Sequence, residues 1–233
     1  MKEHSDTQQL QEIYQRLLSH YGPQGWWPLY NNKTRRIEYH PGDYSFPKDK
    51  EQSFEVSVGT ILTQNTRWNN VERVLYNLQH ERLLTKHALH STPEKKLALL
   101  IRPAGYFNQK AKKLKAFAAF AGEISRSNLL SLWGIGKETA DSILCYAYHL
   151  PLFVVDAYTI RIFRRLGFQE TTYESIQQRV MQECKGEAFF NEFHALLVEL
   201  GKNVCTQRTP SCPVCPLEKA CKKVGVTVAA RSS

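Results

Sequence analysis

An all-α fold is predicted by three observations. Apolar residues recur at helical spacing along most of the chain, no stretch alternates convincingly with period two, and glycine or proline punctuates the gaps between helical runs. Leu10, Ile13, Tyr14, Leu17, Leu18 and Tyr21 follow the i, i+3, i+4, i+7 rule, and "YGP" stops that run. After "GWWPLY", residues 31–52 are polar and broken by proline, so they read as a long loop or insertion. Helical runs resume at "SFEVSVGTILTQ", "NNVERVLYNLQ", "TPEKKLALLI" and "NQKAKKLKAFAAFAGEIS". Beyond a short glycine turn follow "KETADSILCYAYHL", "DAYTIRIFRRLG", "TYESIQQRVMQEC" and "EAFFNEFHALLVELGKNV". There is no fixed-period repeat, and the only low-complexity piece is the "ARSS" tail.

Two helical domains are expected. One spans 46–150 and reads as a helical barrel. The other packs the N-terminal helix and loop, 1–45, with 151–233. The turn "HLP", His149 to Pro151, is the crossing point.

Composition bounds the function. Of 233 residues 42% are hydrophobic and 23% charged, an ordinary globular balance. A net charge of +9 is less ordinary and favours an anionic partner, nucleic acid being the commonest; a solvated lysine surface is the alternative. No apolar run approaches the roughly 18–20 residues that span a bilayer, which excludes a membrane-spanning helix. The N-terminus lacks the apolar segment of a secretory signal, so a cytoplasmic protein is expected. In that compartment six cysteines point to metal before disulfides.

Cys205, Cys212, Cys215 and Cys221 form C-x6-C-x2-C-x5-C in a loop that also holds Pro210, Pro213 and Pro216. Four thiolates this close select zinc or an iron–sulfur cluster. Structural zinc prefers two short pairs, whereas one C-x2-C flanked by wider gaps suits the larger cubane, so iron–sulfur is favoured. Lys202, Arg208, Lys219, Lys222 and Lys223 surround the cluster motif and would present cations to a phosphate backbone. Cys145 and Cys184 stand at apolar helical positions and read as core.

In "LWGIGKETA", Gly134, Ile135 and Gly136 join two helical runs. Such a turn aims successive backbone N–H groups one way, and the next helix adds its own unpaired N–H groups; Lys137 follows. Neither the spacing of a Walker loop nor the strand of a dinucleotide fold is present. A phosphodiester gripped through main-chain atoms fits this arrangement. Asp156 follows the apolar run "FVV" and precedes a helix. It is read either as an N-cap or as a carboxylate that stabilises positive charge and orients water.

Together "LWGIGKETADSILCYA", "VVDAYTIRIFRRLG" and "FHALLVELGKNVC" with the four cysteines resemble the helix-hairpin-helix DNA glycosylases of the endonuclease III type. The upstream "GTILTQNTRWNNVERVL" resembles that family's minor-groove segment. The resemblance implies a base-flipping repair enzyme on damaged double-stranded DNA, a monomer associated with the nucleoid. It implies that Asp156 is the catalytic carboxylate and that Gln64, beside Asn65 and Thr66, fills the gap left by the flipped base. It also implies that the cysteines carry a structural [4Fe-4S] cluster. Strand-cleaving members hold a Schiff-base lysine where this chain has Glu138. Lys137 is one residue earlier, about 100° around the helix. A monofunctional glycosylase that leaves an abasic site is therefore expected. The alternatives are a bifunctional lyase acting on oxidised pyrimidines and a non-catalytic iron–sulfur DNA-binding module.

"WWP" followed by "FEVSVGTILTQNT" resembles the 3-methyladenine DNA glycosylases of this group. That likeness implies a pocket of Trp26, Trp27, Pro28 and Phe54 around an alkylated purine, although one tryptophan also reads as plain packing.

Overall fold

The computed structural model describes residues 6–226; the "ARSS" tail lies outside them. The chain divides into two compact units, Met1–Gln24 with Phe153–Ser233, and Gly25–Leu152. The crossing falls at Leu152–Phe153, next to the expected turn. Residues 25–45, expected to group with the N-terminal helix, cluster instead with Gly25–Leu152.

The discontinuous unit holds α1 (Asp6–Tyr21), α9 (Ala157–Leu166), α10 (Tyr173–Glu183) and α11 (Glu187–Asn203). Leu10, Ile13 and Leu17 of α1 face Phe153, Ile162, Phe163, Ile176, Phe193 and Leu197 in one core, and Cys184 is buried there too. The caps are written locally. Thr172 and Ser175 exchange hydrogen bonds at the start of α10, and Gly167, at φ +91°, ends α9. Among the described residues beyond α11, two short 3-10 turns, Cys212–Val214 and Glu218–Ala220, give regular structure to the cysteine loop.

The continuous unit is built on α2 (Lys50–Leu62), buried from Phe54 to Leu62 and capped by Asp49, whose side chain accepts from Glu51 N and Gln52 N. Around it run α3 (Trp68–His80), α4 (Lys86–Ser91), α5 (Glu94–Leu100), α6 (Phe107–Ala119), α7 (Arg126–Ser131) and α8 (Lys137–Ser142). Helices α4 and α7 are too short to announce themselves by periodicity. The single run expected over 137–150 breaks. Helix α8 stops at Ser142, and Ile143–Ala147 continues as a buried π-helical stretch.

The all-α class holds with one addition. Within the expected loop, β1 (Leu29–Asn31) and β2 (Arg36–Glu38) pair antiparallel, Leu29 opposite Glu38 and Asn31 opposite Arg36. Three-residue strands cannot display a period of two, which is why they were not legible. The ribbon is tied to α2, where Glu55 accepts a hydrogen bond from Tyr30 N at 2.6 Å, and to α3, where Gln79 reaches Asn32 at 2.8 Å.

Candidate functional site

The glycine turn is held from three sides. Helices α7 and α8 are clamped by Arg126, whose Nε and Nη2 donate to the two oxygens of the fully buried Asp141 at 2.7 and 3.1 Å. A bidentate guanidinium–carboxylate pair fixes orientation as well as distance. Between the helices Gly134 sits at φ +79°. A Cβ there would come within 2.4 Å of Lys113 Cε, so the lysine stem lies across the glycine face. The positive φ favours glycine, and a side chain there would also push the flexible lysine stem aside. Gly136 caps α8 with extended backbone and nothing within 4 Å of a Cβ position, so its face is open to an approaching group. Ile135 points inward, whereas Trp133, Lys137 and Glu138 are exposed.

Gln64, just past the end of α2, is tied to this turn. Its Nε2 donates to Gly134 O at 3.2 Å and to Thr139 Oγ1 at 2.8 Å, and its Oε1 accepts from Lys113 Nζ. Asn65 is exposed and left-handed at φ +52°, a conformation asparagine tolerates well. Thr66 Oγ1 accepts from Asn70 at 3.2 Å. Nearby Lys110 is buried and donates to Leu62 O and Ala104 O, both at 2.8 Å. Burial, with the charge of Lys113 adding to it, pushes its pKa down to about 8.

The aromatic residues divide. Trp27 is buried with its ring 5.4 Å from Trp68 and 5.3 Å from Tyr146, and its indole nitrogen lies on Gly59, where a Cβ would be 2.9 Å away. Pro28 is buried as well. Trp26, half-buried, lies 5.7 Å from Trp27 and 6.0 Å from Tyr146. Phe54 is buried and stacks on Phe117 at 5.9 Å. Trp26 is thus the member of the predicted set with ring surface still in reach of a ligand. Trp68 and Tyr146 complete the cluster and were missed. Tyr146 is delivered by the π-helical stretch, which no local pattern announces.

In the other unit Asp156 is the N-cap of α9; its Oδ1 accepts from Thr159 N at 2.7 Å. The capping reading is therefore correct, and it leaves the second oxygen for other work. That oxygen lies 3.8 Å from His194 Nε2, in surroundings where both side chains are nearly buried. Burial lowers the His194 pKa, and the Asp156 charge opposes this only in part, so the imidazole is neutral at neutral pH. The sequence signal for His194 was its place in "FHALLVELGKNVC", overlooked because a histidine on an apolar helix reads as core.

Two arginines of α9 carry the cysteine loop. Arg161 donates to Cys205 O at 2.9 Å and Gly201 O at 2.8 Å. Arg165, buried, donates to Thr206 O at 2.7 Å, Gln207 O at 2.9 Å and Cys205 Sγ at 3.1 Å. Cys205, Cys212, Cys215 and Cys221 line one pocket with Arg165, Val204 and Lys223. Among the described residues no group of three or more His, Cys, Asp or Glu is drawn together as a metal site. The donor set nevertheless fits a thiolate-bound metal. Four soft sulfurs face one space, and N–H groups of Arg165 and Lys223 point at two of them. Burial and the neighbouring thiols push the Cys215 pKa up to about 11, the penalty a bound cation removes. Of the surrounding cations, Lys202 pairs with Glu199 at 3.7 Å and Lys223 with Glu218 at 3.1 Å, while Arg208, Lys219 and Lys222 are exposed.

A family model described as HhH-GPD superfamily base excision DNA repair protein matches residues 58–186, more than half the chain. The chain belongs to that superfamily. It is 40% identical, over 95% of its length and 99% of the relative's, to a Methanocaldococcus jannaschii protein whose name proposes a DNA repair glycosylase. It is 27% identical to Thermotoga maritima endonuclease III over 76% of this chain and 87% of that one. Among solved structures, an endonuclease III–DNA complex shares the fold, with TM-score 0.75 and 21% identity over 93% and 95% of the two chains. The H. pylori 3-methyladenine DNA glycosylase bound to 1,N6-ethenoadenine aligns with TM-score 0.66 and 26% identity, over 85% and 98%. No helix among the described residues is long and apolar enough to cross a membrane.

Proposed function

We propose that the protein is a monofunctional DNA N-glycosylase that flips an alkylated purine such as 3-methyladenine out of duplex DNA and hydrolyses its N-glycosidic bond. The observation that carries this reading is the first turn of α8, where Lys137 and Glu138 follow Gly136. Strand-cleaving members of the family keep a lysine at the Glu138 position, and a carboxylate forms no imine. Without an amine nucleophile the bond is broken by water. Water bonds to C1′ and gives up a proton to solvent, the C1′–N bond breaks with its electrons going to the purine, and a purine that already carries positive charge leaves as a neutral base.

The residues divide the work. Gly134, Ile135, Gly136 and Lys137 hold a phosphate, chiefly through main-chain N–H groups. Gln64, with Asn65 and Thr66, occupies the space the flipped nucleotide vacates. Trp26 offers its ring to the cationic base over a floor of Trp27, Pro28 and Tyr146, and Phe54 supports that wall from α2. The free oxygen of Asp156 stabilises the oxocarbenium-like sugar and orients the water. Neutral His194 beside it leaves that negative charge undiminished at neutral pH. Cys205, Cys212, Cys215 and Cys221 would hold a [4Fe-4S] cluster, which supplies a rigid structural centre for a loop that has almost no secondary structure of its own.

The test is excision from duplexes carrying 3-methyladenine, 7-methylguanine, hypoxanthine, uracil, thymine glycol or 8-oxoguanine, scored with and without alkali. Alkylpurine release with alkali-dependent breaks is expected. Alkali-independent breaks on thymine glycol, with a borohydride-trapped adduct, would replace this reading by the bifunctional lyase. Purified protein should be yellow-brown with iron and sulfide; zinc in colourless protein would overturn the cluster assignment.

A further inference from the structure

Lys113 is not part of the glycine turn, yet it touches both of the elements that would meet DNA in this unit. It projects from α6, its stem crosses the face of Gly134, and its ammonium donates to Gln64 Oε1. The same amide donates from its other end to Gly134 O and Thr139 Oγ1. One side chain therefore closes a loop of contacts joining α2, α6 and the turn. No carboxylate forms an ion pair with Lys113 among the described residues, and its partner Gln64 is neutral. A cation held part-buried against a neutral amide carries uncompensated charge beside a turn whose open face suits an anion.

We propose that Lys113 is a positioning residue for DNA engagement: it holds Gln64 against the hairpin turn, and its ammonium meets the phosphate which that turn takes up. Attraction to the phosphate draws the ammonium from Gln64 Oε1 and leaves the amide held only through its Nε2, so that gripping the backbone and loosening the amide are one event. The charge arrives pre-oriented because Gly134 leaves room for the stem. The inference rests on the proposed roles of the turn and of Gln64.

The test compares wild type with Lys113→Met, Lys113→Arg and Gln64→Ala. Each variant is titrated with a duplex containing an abasic-site analogue over a range of NaCl concentrations. 2-Aminopurine opposite the site reports the vacated gap. Lys113→Met keeps the stem and should reduce the salt slope by about 0.9, one phosphate contact, while altering the 2-aminopurine signal. Lys113→Arg should restore the slope. An unchanged slope and signal in Lys113→Met, with circular dichroism like wild type, would overturn the proposal, as would Lys113→Arg failing to restore the slope. Gln64→Ala separates the two readings. If it leaves the 2-aminopurine signal unchanged, the gap-filling role of Gln64 fails while the slope still judges Lys113. If it changes the signal and Lys113→Met does not, the coupling fails.

Discussion

The hairpin turn and the cysteine loop are both short of regular structure, but they are held in opposite ways. The turn is finished by the fold around it. A buried ion pair clamps its two helices, a glycine admits a lysine stem, and an amide stitches it to α2. The cysteine loop is hung from one side, with Arg161 and Arg165 capping three of its carbonyls and that of Gly201 in α11, while its cysteines line a pocket. A turn completed by side chains is held in shape without any ligand. A loop lined by four cysteines would gain rigidity from a metal held there.

Breaking that contrast should have its largest effect at the loop. Replacing Cys215 by Ser should abolish stoichiometric iron and expose the segment 205–221 to rapid proteolysis, because metal-binding energy is folding energy in such loops. The glycine turn should be untouched, read as unchanged hydrogen exchange at Gly134–Thr139. Asp156→Asn comes next. Asparagine caps a helix as well as aspartate does, so the melting temperature should hold while excision falls by about 10²–10⁴. If activity survives, Asp156 is only a cap.

Arg126→Met tests the turn's own support. It removes the bidentate partner of the buried Asp141 carboxylate and should cost about 2–4 kcal/mol by denaturant titration, with weaker DNA binding. Arg126→Met with Asp141→Leu should recover much of the loss. The smallest effect is a pH dependence. Burial raises the Glu55 pKa from 4.5 to about 7, the Tyr30 N–H opposing only in part. Because the folded value lies above the unfolded one, the contribution is complete below about pH 4.5 and is lost as pH rises through about 7. Glu55→Gln should therefore be more stable than wild type at pH 8.5, by about 1–3 kcal/mol, and similar to it at pH 5. His194 has the opposite sign. Its folded pKa is depressed, so its contribution is present above about 6.5 and lost in acid.

Much of this was legible beforehand because it is local. Helical periodicity placed α1, α2, α3, α5, α9, α10 and α11 to within a few residues of their observed ends, and ran α6 on to Ser125, past its observed end at Ala119. The punctuation of "LWGIGKETA" marked the turn, and "VVDAYT" marked the cap. Where sequence reasoning left alternatives, a neighbour far along the chain bears on them. Trp27 reads either as a base-stacking residue or as packing, and it packs against Trp68 and Tyr146. Phe54 reads as a pocket wall, and its ring stacks on Phe117. The polar stretch 31–52 reads as loop, yet its start folds into a ribbon tied to Glu55.

The division follows chain separation. Cysteine spacing, helix caps and the glycine turn need partners only a few residues away, so composition and order determine them. The partners of Gln64 are 49, 70 and 75 residues distant, Arg126 reaches Asp141 fifteen residues on across the turn, and His194 meets Asp156 from another helix. Such contacts form only once loop closure has been offset by core burial, and no residue pattern near either partner records which distant group will arrive. The sequence by itself determined the kind of protein and the places to look. Only the tertiary structure decided which aromatic ring stays open, which oxygen of Asp156 is spare, and that a lysine on α6 holds the amide at the end of α2.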